Sequence, residues 1–271
     1  MKICTVIGSP RKQNTYRFAK LIEERIESIS PSEVDYLFLN HYKLKPCRGC
    51  MSCVKKGEKS CPDFGAVDEI RSRMTAAQGV ILSSPVYNSH ISSLMKNLVD
   101  HFIYLVHRPC FYDHYALVLV TTQYSGLEDT TQYLHMMARQ WGFNVIGNFG
   151  VKATLYQYDK QYGIQSDAKL HKAASQLVRA KRNGEIPEPT LEEMIYFRVW
   201  QQYMEVSAYA PVLSRVDYEF WRDKGLLNRA YFTDIRTPPL KDAIARGIAW
   251  RARRQMDKTM KVAAEMMKHD K

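Results

Sequence analysis

Short apolar runs alternate with amphipathic segments along the first 185 or so residues of the chain. Continuous apolar runs are typical of buried strands, whereas apolar residues three or four positions apart are typical of one helix face. The pattern predicts strands at residues 2–7, 34–39, 79–83, 115–120 and 143–151. It predicts helices at residues 15–29, 66–77, 92–106, 127–141 and 166–181. Strands and helices in this alternation form a parallel sheet with helices on both faces.

Five such strands fit a doubly wound α/β fold of the flavodoxin-like type, with the strand order 2-1-3-4-5. In sheets of this kind, ligands bind in the crevice beyond the carboxyl ends of the strands. The loops that follow the strands are therefore the places where we expect functional residues.

The composition changes near residues 183–189, where Gly and Pro interrupt the alternation. Beyond this point the helical patterns are rich in Trp, Tyr and Met, and they cover residues 191–209, 217–227 and 240–267. We therefore predict a sheet domain at residues 1–187, which carries an insert at residues 46–62. We predict a helical, aromatic-rich C-terminal extension at residues 188–271.

The overall composition is that of a globular protein, with 45% hydrophobic and 25% charged residues. No apolar run approaches the roughly 18 residues that a membrane helix needs. The first residues lead directly into a strand and lack the apolar segment and cleavage site of a secretory signal. We therefore expect a cytoplasmic protein without a membrane partner.

The net charge is +11, from 39 Lys and Arg against 28 Asp and Glu. A basic surface favours anionic partners, including nucleotides, phosphorylated cofactors and nucleic acid. The densest basic stretch, residues 251–254, holds only three arginines. The charge is therefore compatible with nucleic acid, but we predict no nucleic-acid partner from it.

A polar loop, residues 8–15, joins the first strand to the first helix. It offers free backbone N–H groups, the positive end of the helix dipole, hydroxyl groups and the guanidinium of Arg11, which together favour an anion. The loop has neither the Gly-x-Gly-x-x-Gly pattern of dinucleotide sites nor the triphosphate-binding pattern. An ordinary polar turn capped by Asn14 or Thr15 is the alternative.

Two further loops follow the third and fourth strands. Residues 83–90 combine the rigid Pro85 and the apolar Val86 with Asn88, which can hydrogen-bond a heterocycle. Residues 121–126 are polar and contain a glycine. Because the carboxyl ends of parallel strands meet at one edge, we predict a single site, with phosphate in the first loop and a ring system in the other two. For the loop at residues 83–90, a rigid turn with a core aromatic is the alternative.

Four cysteines lie close together in the chain, at Cys47, Cys50, Cys53 and Cys61; we call residues 47–61 the cysteine segment. Three cysteines at successive two-residue intervals, with a fourth from a return loop, can ligate one iron-sulfur cubane. Zinc more often takes two separated Cys-x-x-Cys pairs. A metal-free, redox-active thiol loop is the third interpretation.

Three motifs together resemble one known family. Residues 8–15 read G-S-P-R-K-Q-N-T, residues 84–87 read S-P-V-Y, and residues 94–100 read L-M-K-N-L-V-D. In this order the chain resembles the flavodoxin-like NAD(P)H-dependent FMN reductases, and the cysteine segment resembles that of their iron-sulfur flavoprotein branch. The resemblance covers roughly residues 1–185. One departure is Gln13, where relatives often carry Gly.

The resemblance implies that the first loop holds the FMN phosphate and that the other two loops line the isoalloxazine ring. The FMN-binding residues that it implies are Ser9, Arg11, Asn14, Thr15, Tyr16, Pro85, Val86, Tyr87, Asn88, Thr122, Ser125 and Gly126. It implies that Cys47, Cys50, Cys53 and Cys61 hold a [4Fe-4S] cluster. No Ser/His/Asp or Cys/His nucleophile pattern is visible, and we predict no catalytic side chain, because a flavin carries its own chemistry.

The resulting hypothesis is an FMN-dependent oxidoreductase that forms a homo-oligomer. It would take a hydride from NAD(P)H, or electrons through the cluster, and pass them to a quinone, a small electrophile or a protein. The alternative is a non-enzymatic flavin and iron-sulfur carrier that exchanges electrons with ferredoxin. A zinc-stabilised nucleic-acid-binding module is a third class.

Overall fold

The structure, a computed structural model, describes residues 1–209 and 214–269, and only the helical backbone of residues 261–269. The chain divides into two compact units. The first unit consists of Met1–Cys50 and Pro62–Pro187, and the second consists of Met51–Cys61 and Glu188–Lys271.

The first unit contains a parallel sheet. Its strands are β1 (Lys2–Ile7), β2 (Glu33–Phe38), β3 (Gly79–Tyr87), β4 (His90–Ile91), β5 (Tyr115–Thr122) and β6 (Asn144–Lys152). The order is β2-β1-β3-β5-β6, and the short β4 pairs antiparallel with β3. Numbered along the chain, the five parallel strands follow the order 2-1-3-4-5, so the predicted flavodoxin-like fold is confirmed.

In chain order, the helices are α1 (Asn14–Ile29), α2 (Ser52–Lys55), α3 (Phe64–Thr75), α4 (Ser93–His101), α5 (Ile103–His107), α6 (Leu127–Gln140), α7 (Ala153–Tyr158), α8 (Lys160–Asn183), α9 (Leu191–Ser207), α10 (Arg215–Asp223) and α11 (Pro239–His269). The pattern predicted one helix at residues 92–106, but the backbone of Phe102 divides it into α4 and α5. Helix α8 begins earlier than predicted because the Asp159 carboxylate caps it by accepting from the Tyr162 amide at 3.0 Å.

One hydrophobic cluster of the first unit's core lies between the sheet and helices α1 and α8. Ile22 of α1 and Leu177 of α8 are fully buried against strand residues such as Ile3 and Leu117. Burial of each such side chain stabilises the fold by roughly 1.5–3 kcal/mol. These contacts fix α1, and with it the loop between β1 and α1, against the sheet.

The second unit joins α2 to the C-terminal helices. The Ser214 hydroxyl, at the N-cap of α10, donates to the carbonyl oxygen of the buried Val54 in α2 at 2.7 Å. From the sequence we predict residues 46–62 as an insert of the sheet domain. In the structure, residues 51–61 group instead with the C-terminal helices, because α2 packs on α10.

A buried polar network holds α9 and α11 together in the second unit. The guanidinium of Arg198, 7% exposed, donates through Nε to Asp242 Oδ1 at 2.8 Å and through Nη1 to Gln201 Oε1 at 2.8 Å. Burial raises the pKa of the Asp242 carboxyl group. The hydrogen bonds from Arg198 and Arg246 together have the larger effect, so the pKa is lower than its usual value.

Within the described residues, none of the helices combines the length and the apolarity that crossing a membrane would require.

Candidate FMN-binding site

The loop between β1 and α1 is braced by its own side chains and by β3. The Gly8 amide donates to the Ser83 carbonyl oxygen at 2.8 Å, and the Ser9 hydroxyl donates to the Arg11 carbonyl oxygen at 2.8 Å. The N-cap residue of α1, Gln13, makes no capping hydrogen bond with its side chain, and the first turn of α1 carries no acidic residue. The N–H groups at the start of α1 can therefore serve an anion, beside the Arg11 guanidinium.

The floor of the site is a hydrogen bond between the first helix and the sheet. The hydroxyl oxygens of Thr15 in α1 and Thr121 in β5 lie 2.8 Å apart, and both residues are buried. The register of the sheet pairs Ile7 with Ser83 and Pro85 with Thr121, so β1, β3 and β5 end at one edge.

A tight hairpin forms the second wall. Val86 pairs with Ile91 and Tyr87 with His90, and the two residues between them, Asn88 and Ser89, have φ values of +47° and +64°. Two central residues with positive φ are typical of the type I′ turn, which matches the twist of a hairpin. The turn gives the edge of the site a fixed backbone.

The loop after β5 forms the third wall. The Thr122 hydroxyl donates to the Ser125 carbonyl oxygen at 2.8 Å and accepts from the Tyr124 amide at 3.3 Å. Gly126 follows with a φ of +73° and lies against the hairpin: a Cβ atom there would be 2.8 Å from Ser89 Cα and 2.9 Å from Val86 Cγ1. No other residue fits at this position without moving the hairpin.

The three loops enclose one open cavity of about 420 Å³, within the roughly 300–1,000 Å³ that is usual for ligand sites. Ten of the predicted FMN-binding residues line it: Ser9, Arg11, Asn14, Thr15, Pro85, Val86, Tyr87, Asn88, Thr122 and Ser125. Among the described lining residues, Arg11 is basic and none is acidic. A polar rim, one cation and a flat apolar wall fit a phosphorylated ring compound such as FMN.

Two predicted residues do not line this cavity. Tyr16 follows Thr15 on α1, about 100° around the helix, and its ring packs edge-on against Tyr36 at 5.4 Å between centroids. Gly126 lies behind the lining residues, where it packs against Ser89 of the hairpin. Their contact with FMN stays a prediction.

Five lining residues were missed: Gln13, Ser89, Thr121, Gln123 and Tyr124. Each adjoins a predicted residue in the same three loops, so the loop ends alone could have indicated them. Tyr124 is 73% exposed at the rim of the cavity. Its aromatic face is open to a planar molecule that enters the site.

The N-terminus of helix α4 is hydrogen-bonded to two of the cavity loops. The hydroxyl of its N-cap residue, Ser92, donates to the Gly8 carbonyl oxygen, and the Ser92 amide donates to Ser84 Oγ at 3.0 Å. The same hydroxyl accepts from the Met95 amide at 3.2 Å. One buried serine thus joins the phosphate loop, the end of β3 and α4.

The four cysteines differ in their surroundings. Cys47 and Cys50 are exposed, Cys61 is half-buried, and Cys53 in α2 is buried. Among the side chains that the structure describes, no three or more His, Cys, Asp or Glu residues gather so that they could hold a metal ion. In this arrangement the cysteines do not form a ready ligand set for a cluster.

Comparisons with known proteins agree with the fold. Residues 1–155 match the family described as NADPH-dependent FMN reductase. The chain is 27% identical over 235 residues to an iron-sulfur flavoprotein of Archaeoglobus fulgidus, covering 84% of this chain and 100% of the relative. It is 26% identical over 180 residues to an NADPH azoreductase of Bacillus sp. strain OY1-2, covering 65% and 90%.

Among solved structures, a flavone reductase superposes with a TM-score of 0.53 at 15% identity, covering 69% of this chain and 65% of that protein. At this identity the likeness concerns the fold.

Proposed function

The chain belongs to the NADPH-dependent FMN reductase family, and from this premise we propose that it binds FMN in the cavity between its three loops and reduces a quinone or another small electrophile. It is an oxidoreductase that uses FMN and NAD(P)H. The observation that supports the site is the convergence of ten predicted residues on one cavity.

Bound FMN supplies the redox chemistry, by accepting hydride equivalents from the nicotinamide and passing them on. The residues of this chain bind and orient it. Arg11, Asn14 and the N–H groups at the start of α1 would hold the phosphate. Val86 and Tyr87 would lie along the ring, and Asn88 would hydrogen-bond its polar edge. The exposed ring of Tyr124 would stack on a planar acceptor at the rim.

We also propose that the cysteine segment holds an iron-sulfur cluster through Cys47, Cys50, Cys53 and Cys61. The spacing of the cysteines and the name of the Archaeoglobus relative support this proposal. The described arrangement would have to change for it, since among the described side chains these cysteines do not gather into a metal-holding group. No step of the proposed reaction passes through the cluster.

Other parts of the hypothesis stay predictions. They are the cytoplasmic location, the homo-oligomeric state and the exchange of electrons with ferredoxin. The charge of +11 supports docking of an acidic protein, which is the basis of the carrier alternative.

The decisive experiment is an anaerobic absorbance spectrum of the purified protein, with flavin, iron and sulfide assays, followed by NADPH and NADH oxidation with a quinone. Flavin absorbance and turnover are expected. A protein that neither contains FMN nor binds added FMN would contradict the proposed site. Flavin without quinone turnover, but with reduction by ferredoxin, would favour the carrier. Zinc without iron would contradict the cluster.

A further inference from the structure

Helix α11 carries a row of large apolar side chains that face solvent. Leu240, Ile244 and Ile248 follow one another at intervals of four residues, so they form one stripe along the helix, which we call the apolar stripe. All three are exposed, Leu240 to 75%. The positions one residue further along, Ala245 and Ala249, are buried. Helix α11 therefore packs within the second unit through small side chains and leaves its larger aliphatic ones outside.

This arrangement is the reverse of what packing within the unit alone would favour. A helix that only covers a core turns its large apolar side chains inward and its polar ones outward. A single exposed apolar side chain is ordinary on a soluble protein, whereas a contiguous exposed patch is typical of an interaction surface. The apolar stripe spans eight residues, or about 12 Å of the helix axis. It therefore indicates that a partner binds this side of α11.

Cations continue the same side of the helix toward its C-terminal end. Arg251, Arg254 and Lys258 are all exposed, and at about 100° per residue they lie within roughly a quarter-turn of the direction of the apolar stripe. We call these three residues the basic end. The ion pairs described for α11 are made by other side chains, such as Arg246 and Arg253. The charges of the basic end are therefore available to a partner.

The acidic side chains of α11 do not offset this charge. Over residues 239–260, where the side chains of the helix are described, the acidic residues are Asp242 and Asp257. Asp242 accepts from Nε of the buried Arg198 at 2.8 Å, and Asp257 accepts from Nε of Arg253 at 3.1 Å. Both carboxylates are thus engaged by arginines outside the basic end. The partner that complements this side of the helix is negatively charged.

A tryptophan lies beside the basic end. Trp250 is 54% exposed, and the guanidinium carbon of Arg254 lies 3.8 Å from the centroid of its ring. A cation over an aromatic face is an attractive contact. Tryptophan side chains are enriched where the apolar interior of a bilayer meets its head groups, because the ring is apolar and its N–H is polar.

The chemistry of this side of α11 distinguishes between three kinds of partner. A second copy of the chain would bring an equally cationic surface, and like charges repel. An acidic protein would complement the basic end, but its charges would not require the apolar stripe. An anionic bilayer uses both features, because aliphatic and tryptophan side chains enter the boundary of the acyl chains while arginine and lysine bind the head groups.

We propose that the apolar stripe and the basic end of α11 together bind the surface of an anionic phospholipid bilayer, with the helix lying on the surface. From the sequence we predict no membrane partner; the proposal replaces that expectation, because a helix on the surface needs no spanning segment. The periodic pattern of α11 does not reveal which of its apolar residues face solvent. The proposal goes beyond the proposed function and depends on neither FMN nor the cysteine segment.

The first test measures sedimentation of the purified protein with vesicles of equal parts phosphatidylglycerol and phosphatidylcholine. We expect binding to these vesicles, and much weaker binding to pure phosphatidylcholine. Ile244→Ser/Ile248→Ser should weaken binding about tenfold or more, because less apolar surface leaves water. Arg251→Gln/Arg254→Gln should weaken it to a similar degree, because each cation near an anionic surface adds attraction. All four positions are exposed, so both double variants should fold, and urea unfolding checks this.

The matched control for charge is Lys169→Gln/Lys172→Gln, which removes two exposed cations from α8. It should bind nearly as well as the wild type. An equal loss in the two charge variants would overturn the proposal, since it would show a general attraction of a protein with a net charge of +11. Undiminished binding of Ile244→Ser/Ile248→Ser would overturn it too. A wild type that does not sediment with anionic vesicles would overturn it in favour of an acidic protein or a second copy, and sedimentation equilibrium separates those two.

The second test follows tryptophan fluorescence as the same vesicles are added. The emission of the wild type should shift to shorter wavelength, because the exposed ring of Trp250 leaves water. Trp250→Phe should lose most of this shift, since Trp141 and Trp221 are already fully buried. An equal shift in the wild type and in Trp250→Phe would contradict contact between this side of α11 and the bilayer.

Discussion

The hydroxyl oxygens of Thr15 and Thr121 lie 2.8 Å apart on the buried floor of the cavity, although 106 positions separate the two residues in the chain. This bond ties the first helix to the fourth strand of the parallel order at the point where three loops meet. It makes the shape of the cavity depend on a pair of small polar side chains.

Replacing one of these two threonines should lower the free energy of unfolding more than replacing both. Thr121→Val leaves the Thr15 hydroxyl buried without its partner, at a cost of about 1–3 kcal/mol in the free energy of unfolding. The double variant Thr15→Val/Thr121→Val removes both polar groups and should recover part of that loss. Urea unfolding of the four proteins of the cycle measures the coupling. Strictly additive losses would show that the hydroxyls do not interact.

Gly126→Ala should weaken FMN binding, because a methyl group there meets the Ser89 backbone and forces the hairpin outward. We expect about a tenfold weaker FMN affinity, together with about 1 kcal/mol of lost stability from the positive φ. Gly184→Ala is the control: its φ is +65°, but a Cβ atom there would contact nothing within 4 Å. It should lose stability and keep FMN affinity. Equal FMN affinities in the two variants would contradict the proposed contact.

Arg11→Gln should lower the affinity for FMN but not the affinity for riboflavin. Because the guanidinium is proposed to meet only the phosphate, FMN affinity should fall about tenfold, while riboflavin affinity stays the same. Arg17→Gln removes an exposed charge on α1, outside the cavity lining, and should leave both affinities unchanged. Fluorescence titration with each flavin measures the effect. Equal losses of affinity for FMN and for riboflavin would contradict a contact between Arg11 and the phosphate.

The Asp242 and Arg198 pair should make the stability of the second unit depend on pH. The pKa of Asp242 is lower in the folded protein than in the unfolded chain. The pair therefore adds stability above the unfolded-state pKa, and this stability disappears as the pH falls through the folded-state pKa. Asp242→Asn should lose about 3 kcal/mol near neutral pH, since it leaves the buried Arg198 unpaired, and the two proteins should converge in acid.

Tryptophan fluorescence during urea unfolding at several pH values measures this difference; Trp221 is buried in the second unit. Glu219→Gln removes an exposed pair with Arg215 and should change stability by less than about 1 kcal/mol at every pH. If wild type and Asp242→Asn differed by the same free energy of unfolding down to low pH, the loss of stability would not come from protonation of Asp242.

Much of the site could be predicted from sequence, because its position follows from topology. Once residues 2–7, 79–83 and 115–120 are recognised as parallel strands, their following loops must meet at one edge. What could not be predicted is the direction of single side chains. Tyr16 turns toward Tyr36 because it is one residue past the cavity face of α1.

Residue Gly126 illustrates a second limit. The sequence indicated a glycine in a binding loop, but its role depends on a contact with Ser89, 37 positions away in the chain. The grouping of α2 with α10 likewise depends on Ser214 and Val54, which no local pattern connects. Long-range contacts between short polar side chains leave no periodic signal, whereas strands and helices do.

The division of the chain has a consequence for synthesis on the ribosome. Residues 51–61 belong with the C-terminal helices, so the polypeptide passes from one unit to the other at 50/51, at 61/62 and at 187/188. Growing from its N-terminus, the chain can complete the sheet while α2 still lacks α10. Cys53 and Cys61 therefore emerge early, whereas α10, on which α2 packs, is translated more than a hundred codons later.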